Sequence, residues 1–182
     1  MTVQVGIEKG VRIAGLDPAA LDRLQWQQFE HDEKYHREIA RLTVQDRLKH
    51  MALHFAKYAG NLADAPQDQA VKRLVTDIVV IAISSANILN LRLSDQHNAL
   101  CGGREESGFT TAIIIAAGRM AAACEKMDHL EAFPFRERIT ESVIELLSQA
   151  LSYAGAKDWD VEEMVAARLQ PVKEKSIFYG KL

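Results

Sequence analysis

Apolar residues recur at intervals of three and four along most of this chain and stop at a few capping and turn residues. That is the signature of amphipathic helices joined by short connectors. Asp17-Pro18 opens the first helix, because Asp is a favoured N-cap and Pro a favoured first helical residue. Leu21, Leu24 and Phe29 follow near helical spacing as far as Tyr35 or His36, with Trp26 beside them, and the charged residues between Glu30 and Arg41 supply a polar face. Thr43, with Asp46 three residues on, resembles a capping box. Behind it Leu48, Met51, Ala52, Phe55, Ala59 and Leu62 line one broad apolar face. A connector over 63–70 holds Asp64, Pro66 and Asp68, which suit a helix stop and restart. The second arm, Val71 to Leu91, is apolar on nearly all sides from Ile78 to Ile83. Its β-branched residues favour a strand, but the helical pattern continues through Ala86, Ile88, Leu89 and Leu91, too far for a typical strand. A helix apolar all round belongs at the centre of a bundle or in a subunit interface.

Further on, 94–107 reads as a loop, with Gly102 and Gly103 near its middle. A helix is predicted from about Gly108 to Asp128 and another from Pro134 to about Tyr153. Asp160 with Glu163 caps a last helix to about Lys175. Residues 1–15 read equally as a short strand or ordered arm and as a frayed terminus, and 176–182 as a tail. Val75-Thr76-Asp77-Ile78-Val79-Val80 echoes Ile139-Thr140-Glu141-Ser142-Val143-Ile144 at an offset of 64. A duplicated hairpin and a chance likeness of two buried helices both fit. The expectation is an all-α bundle of five or six helices in one domain spanning 1–182, with halves at 16–93 and 104–175.

Composition narrows the function classes. The chain has 182 residues, 48% hydrophobic and 26% charged, enough for a sizeable core. A net charge of −3 gives no footprint for nucleic acid. The longest apolar runs are too short to span a bilayer, and no secretory signal is read at the start. Cys101 and Cys124 form no metal-ligand spacing and suit a reducing compartment, so a cytoplasmic protein is expected.

Three features carry a family resemblance: the helix from Leu21 to His36 with Trp26, Phe29 and Tyr35-His36; the step Gly60-Asn61-Leu62; and Thr76-Asp77-Ile78-Val79 followed by Ala82, Ala86, Asn87 and Leu89. Over roughly Leu21 to Leu93 the chain resembles the MazG-like all-α nucleoside triphosphate pyrophosphohydrolases. The resemblance implies a helical-hairpin core and a nucleotide substrate cleaved between its α and β phosphates. It also implies Mg²⁺ held by a Glu-Glu-x-x-Glu and a Glu-x-x-Asp motif on facing helices. Mg²⁺ wants several hard oxygen ligands and bridges to substrate phosphates. Here the first motif falls on Lys57, Tyr58 and Asn61 and the second on Leu74 and Asp77, so of those acidic positions only Asp77 keeps its carboxylate. The resemblance therefore implies Asp77 as the catalytic residue and Lys57, Tyr58, Asn61 and His54 around the substrate, with hydrolysis lost or rebuilt.

Rebuilding would draw on Glu141 and Glu145, which share a helical face with Glu137 and would join Asp77 at the metal. The alternative for them is a solvated face beside Arg136 and Arg138. Two other readings stay open. One is a non-catalytic helical dimerisation or interaction protein, since the apolar surplus on the second arm suits a homodimer. The other is a metal-binding bundle using His50 and His54, spaced i and i+4, with Glu33 of Glu33-Lys34-Tyr35-His36. Lys173, Lys175 and Lys181 could reach a triphosphate in a dimer, or form a solvated tail.

Overall fold

The residues that cap helices in the sequence do so in the computed structural model, which describes residues 16–64, 68–102 and 108–175. Asp17 Oδ1 accepts from the Ala20 amide at 2.7 Å, and Pro18 is the first residue of α1 (Pro18–Tyr35). His36 breaks the helical path, and α2 (Arg37–Ala40) is a single turn after it. The Thr43 hydroxyl accepts from the Asp46 amide at 3.2 Å and donates to the Asp46 carboxylate at 2.8 Å, opening α3 (Val44–Ala63). The second arm is α4 (Asp68–Ile88), helical throughout. Then come a 3₁₀ turn at Ser94–Gln96, α5 (His97–Leu100), α6 (Phe109–Asp128), α7 (Phe135–Ala156) and α8 (Val161–Lys175). Asp160 Oδ1 accepts from the Glu163 amide at 2.9 Å, as its capping role requires.

The fold is all-α, with six long helices among the described residues. Hairpins α3–α4 and α6–α7 lie side by side, since α3 also packs on α6 and α4 on α7, which closes a four-helix bundle. Helix α1 lies across α4, and α8 packs on both. Helix α4 is thus walled in on several sides: Val75, Ile78, Val79, Ala82, Ile83 and Ala86 are each at most 1% exposed. Its all-round apolar surface is consumed inside one chain, so that surface no longer argues for a homodimer. Val75 and Val79 on α4 and Ile139 and Val143 on α7 are all buried, whereas Asp77 is buried and its echo Glu141 is exposed.

Two details depart from the sequence reading. Ser94 to Leu100 is not a loop but short helical turns, because Leu93 and Leu100 are both fully buried and the Ser148 hydroxyl donates to the Leu100 carbonyl at 2.9 Å. Helix α4 ends at Ile88, before Leu91: Asn90 takes the left-handed conformation (φ 51°) and the Leu91 amide reaches back to the Ala86 carbonyl at 2.9 Å. That is a Schellman closure, and Asn tolerates its positive φ. The readings for 1–15, Pro66, Gly103 and 176–182, Lys181 included, lie outside the described residues. No helix among the described residues is long and apolar enough to cross a membrane.

The same closure ends α6 at Leu130, which is 88% exposed with φ 53°. Leucine is strained there, because a Cβ in the left-handed region costs about 1 kcal/mol. Leu130→Gly is expected to raise stability by about 0.5–1 kcal/mol. Gly60 presents the converse case: it sits in α3, and an added Cβ would meet nothing within 4 Å. Gly60→Ala is expected to add a further 0.5–1 kcal/mol or so. Urea melts of the two variants check both, and a lower midpoint in either contradicts its assignment.

A candidate ligand cavity between α1, α3, α4 and α8

Where α1 and α8 cross α4 they do not fill the space against α3, and a cavity of about 190 Å³ remains. Met51, Val80, Ile81, Leu169 and Val172 give it apolar walls, and α2 adds Ile39 at one end. The polar groups gather at two ends.

At the first end, α1 brings Gln28, His31 and Asp32 inward. Gln28 Nε2 donates to Asp32 Oδ1 at 2.8 Å, and the Ser84 hydroxyl of α4 donates to Asp32 Oδ2 at 2.7 Å. Burial raises the Asp32 pKa, although both hydrogen bonds pull it down. Burial likewise holds His31 at about 4, helped by the charges of His36 and Lys173, so its imidazole is neutral at pH 7. Gln28 and His31 are 2% and 3% exposed. Gln28 Oε1, His31 Nδ1 and Arg47 Nε are buried with no hydrogen-bond partner among the described residues. All three residues line this one cavity. An unpartnered buried polar atom costs about 1–3 kcal/mol, so three at one site call for a polar occupant.

At the second end, Asp77 of α4 is 8% exposed, and Arg168 Nε of α8 donates to its Oδ1 at 2.5 Å. On α3 the chain of contacts runs Tyr58, His54, His50. His54 Nδ1 lies 3.1 Å from the Tyr58 hydroxyl and 3.3 Å from Lys57 Nζ, and His54 Nε2 lies 3.1 Å from His50 Nε2. An ammonium can only donate, so beside Lys57 the His54 Nδ1 is an acceptor and Nε2 carries the proton toward His50. Burial, then the charges of Lys57, His50 and His36, hold His54 at about 4. Burial and Asp77 push the Tyr58 hydroxyl up to about 12.

Of the residues singled out in the sequence, Asp77, His54 and Tyr58 meet at this cavity. Lys57 is exposed and reaches the site through His54 and over the Tyr58 ring, 4.7 Å from its centroid, and Asn61 is exposed outside the lining. Leu74 is buried as an apolar core residue. Glu141 and Glu145 do not join Asp77. They border a separate groove between α6 and α7, where Arg138 donates to Glu141 at 2.9 Å and Gln149 to Glu145 at 2.8 Å. Glu33 faces outward beside Lys34 and Arg37, so it does not complete a set with His50 and His54. Among the described residues no three His, Cys, Asp or Glu side chains converge as a metal centre requires. Cys101, away from this cavity, has His97 Nδ1 at 3.8 Å.

Sequence reasoning missed Gln28, His31, Asp32, Arg47, Ser84 and Arg168. A signal existed for two of them. Leu21, Leu24, Gln28 and His31 share one buried stripe of α1, so two polar residues interrupt an apolar face. Arg168 carries no local signal, since its partner Asp77 lies 91 positions away. No family model, curated protein or solved structure matches the chain.

Proposed function

We propose that this chain is a MazG-like helical protein that binds a nucleotide or a related heterocyclic ligand in the α1–α3–α4–α8 cavity, without hydrolysis through carboxylate-held Mg²⁺. The observation that carries the reading is that Gln28, His31 and Arg47, each with a buried polar atom unpartnered among the described residues, all line one cavity. Between them they offer a donor, an acceptor and a neutral imidazole nitrogen, which suits the mixed edge of a nitrogen heterocycle. The cavity, at about 190 Å³, is smaller than the roughly 300–1,000 Å³ of drug-sized sites. It suits one ring, with the rest of the ligand outside. Asp77, the one acidic position kept from the family pattern, is already neutralised by Arg168, and Glu141 and Glu145 open onto another groove.

The test is a panel of bases, nucleosides and nucleotides, read by calorimetry and by pyrophosphate release with and without Mg²⁺. Binding without release is expected, and Gln28→Leu should weaken it at least tenfold. Mg²⁺-dependent release would overturn the non-hydrolytic part. Absence of binding across the panel would overturn the whole reading.

A second reading, an interaction protein, rests on α1's outer face. Trp26 and Phe29 are both exposed there, with ring centroids 5.8 Å apart, and exposed aromatic clusters mark contact surfaces. Light scattering of the wild type against Trp26→Ser tests self-association through that face.

A further inference from the structure

The α3 wall of the cavity has a property that nucleotide binding does not use. His50 and His54 are one helical turn apart, and both line the cavity. Their rings stand nearly perpendicular, at 79°, with Nε2 facing Nε2 at 3.1 Å. An imidazole nitrogen binds zinc at about 2.0–2.1 Å, so two nitrogens at this spacing subtend about 100° at a shared ion. That lies between the octahedral and tetrahedral values. Two histidines at i and i+4 on one helix face are the spacing by which a helix supplies a pair of zinc ligands.

We infer that His50 and His54 form a two-imidazole site for a borderline divalent cation of the zinc, cobalt or nickel class, open to the cavity. The support behind one of the two ligands, His54, is present. A metal-binding histidine donates its other ring N–H to a fixed acceptor, and the buried Tyr58 hydroxyl stands 3.1 Å from His54 Nδ1. Metal binding moves the His54 proton from Nε2 to Nδ1 with no net release. Tyr58 then accepts that proton's hydrogen bond, and Lys57, which can only donate, turns away. Lys57 is exposed and has the room to do so. Among the described residues no third His, Cys, Asp or Glu closes the set. The remaining positions therefore fall to water or to a donor atom of a ligand in the cavity, as in open rather than structural metal sites. Glu33, the ligand first considered with this pair, is on the outside of α1, whereas His31 and His36 line the same cavity.

The inference stands without the nucleotide reading, because its test contains no nucleotide. The full chain, stripped with chelator, is titrated with Zn²⁺ alone by calorimetry at pH 7.5, and with Co²⁺ by visible absorption. One equivalent is expected. His50→Gln and His54→Gln should each weaken binding tenfold or more, and Tyr58→Phe several-fold. His129→Ala should leave it unchanged, since His129 is an exposed histidine on the surface beside Glu125. Circular dichroism and melting temperature confirm that each variant is folded, and Gln is chosen to keep volume and polarity if the Ala forms are not. Absence of zinc binding, or zinc binding that folded His50→Gln and His54→Gln leave untouched, overturns the site. Nucleotide binding without zinc binding would sink this inference and spare the proposed function; the reverse would do the opposite.

Discussion

Arg168→Leu is expected to destabilise the protein by about 3 kcal/mol, a large share of the roughly 5–15 kcal/mol that holds a domain folded. The variant leaves Asp77 at 8% exposure with its cationic partner gone, and stranding a buried charge costs more than the pair contributes when intact. Asp77→Asn should cost less, about 1–2 kcal/mol. The Arg168 side chain is 34% exposed, so its guanidinium can turn to water once the carboxylate is removed. The double variant Asp77→Asn/Arg168→Leu should recover part of the Arg168→Leu loss, because an amide in place of the stranded carboxylate carries no charge to desolvate. Urea unfolding of the four proteins gives the cycle. If Arg168→Leu proves no worse than Asp77→Asn, the pair is a surface contact and α8 is not anchored through it. The asymmetry also bears on function. Any activity lost in Asp77→Asn must first be corrected for a loosened α4–α8 junction, since Asp77 has a structural partner whether or not it touches a ligand.

The sequence made the helices legible because their signals are local. Asp17-Pro18, Thr43 with Asp46, and Asp160 with Glu163 each lie within one turn of the helix they start, and each cap forms. The central place of α4 was legible too, from an apolar run too long for a strand. Boundaries that depend on tertiary packing were not. Nothing near Ser94 announces that Leu93 and Leu100 will both be buried and pull the segment into helical turns. The cavity was half legible. Asp77, His54 and Tyr58 were reached through the family resemblance, which covers the α3–α4 hairpin. The opposite wall comes from α1 and α8, whose crossing of α4 is set by packing rather than by any motif. A search for carboxylates to replace missing ones led to Glu141 and Glu145, on helix spacing alone. Spacing places residues on a face of their own helix but says nothing of which neighbour that face meets. The better clue was the pair of polar residues, Gln28 and His31, in the buried stripe of α1. A polar side chain on an apolar face costs free energy unless something pairs with it, so it marks a satisfied network or a ligand site.

Acidification from pH 7 to 4.5 should remove about 3 kcal/mol of stability through two of the cavity histidines. Both His31 and His54 sit at about 4 in the folded chain, against 6.5 for a free imidazole. A folded-state pKa below the unfolded value means that the unfolded chain binds more protons in the window between them. Stability is therefore full above pH 6.5 and is lost as the pH falls toward 4. His31, at 3% exposure, carries about 2 kcal/mol of this. His54 is half-buried, and solvent screening reduces its part to about 1 kcal/mol. Asp32 works in the opposite sense, because its raised pKa favours the folded state as its carboxyl takes up a proton. The groups facing His31 are His36 and Lys173, both of which oppose its protonation, so acid adds charge where cations already crowd. In His31→Phe the gap between the unfolding free energies at pH 7 and pH 4.5 should shrink by about 2 kcal/mol, whatever the variant's stability at neutral pH. An unchanged gap would mean that His31 titrates as it does in water and is not held at 3% exposure against its neighbours. A ligand bound through the neutral His31 nitrogen should dissociate over the same pH window, which separates loss of the site from loss of the fold when binding and unfolding are followed together.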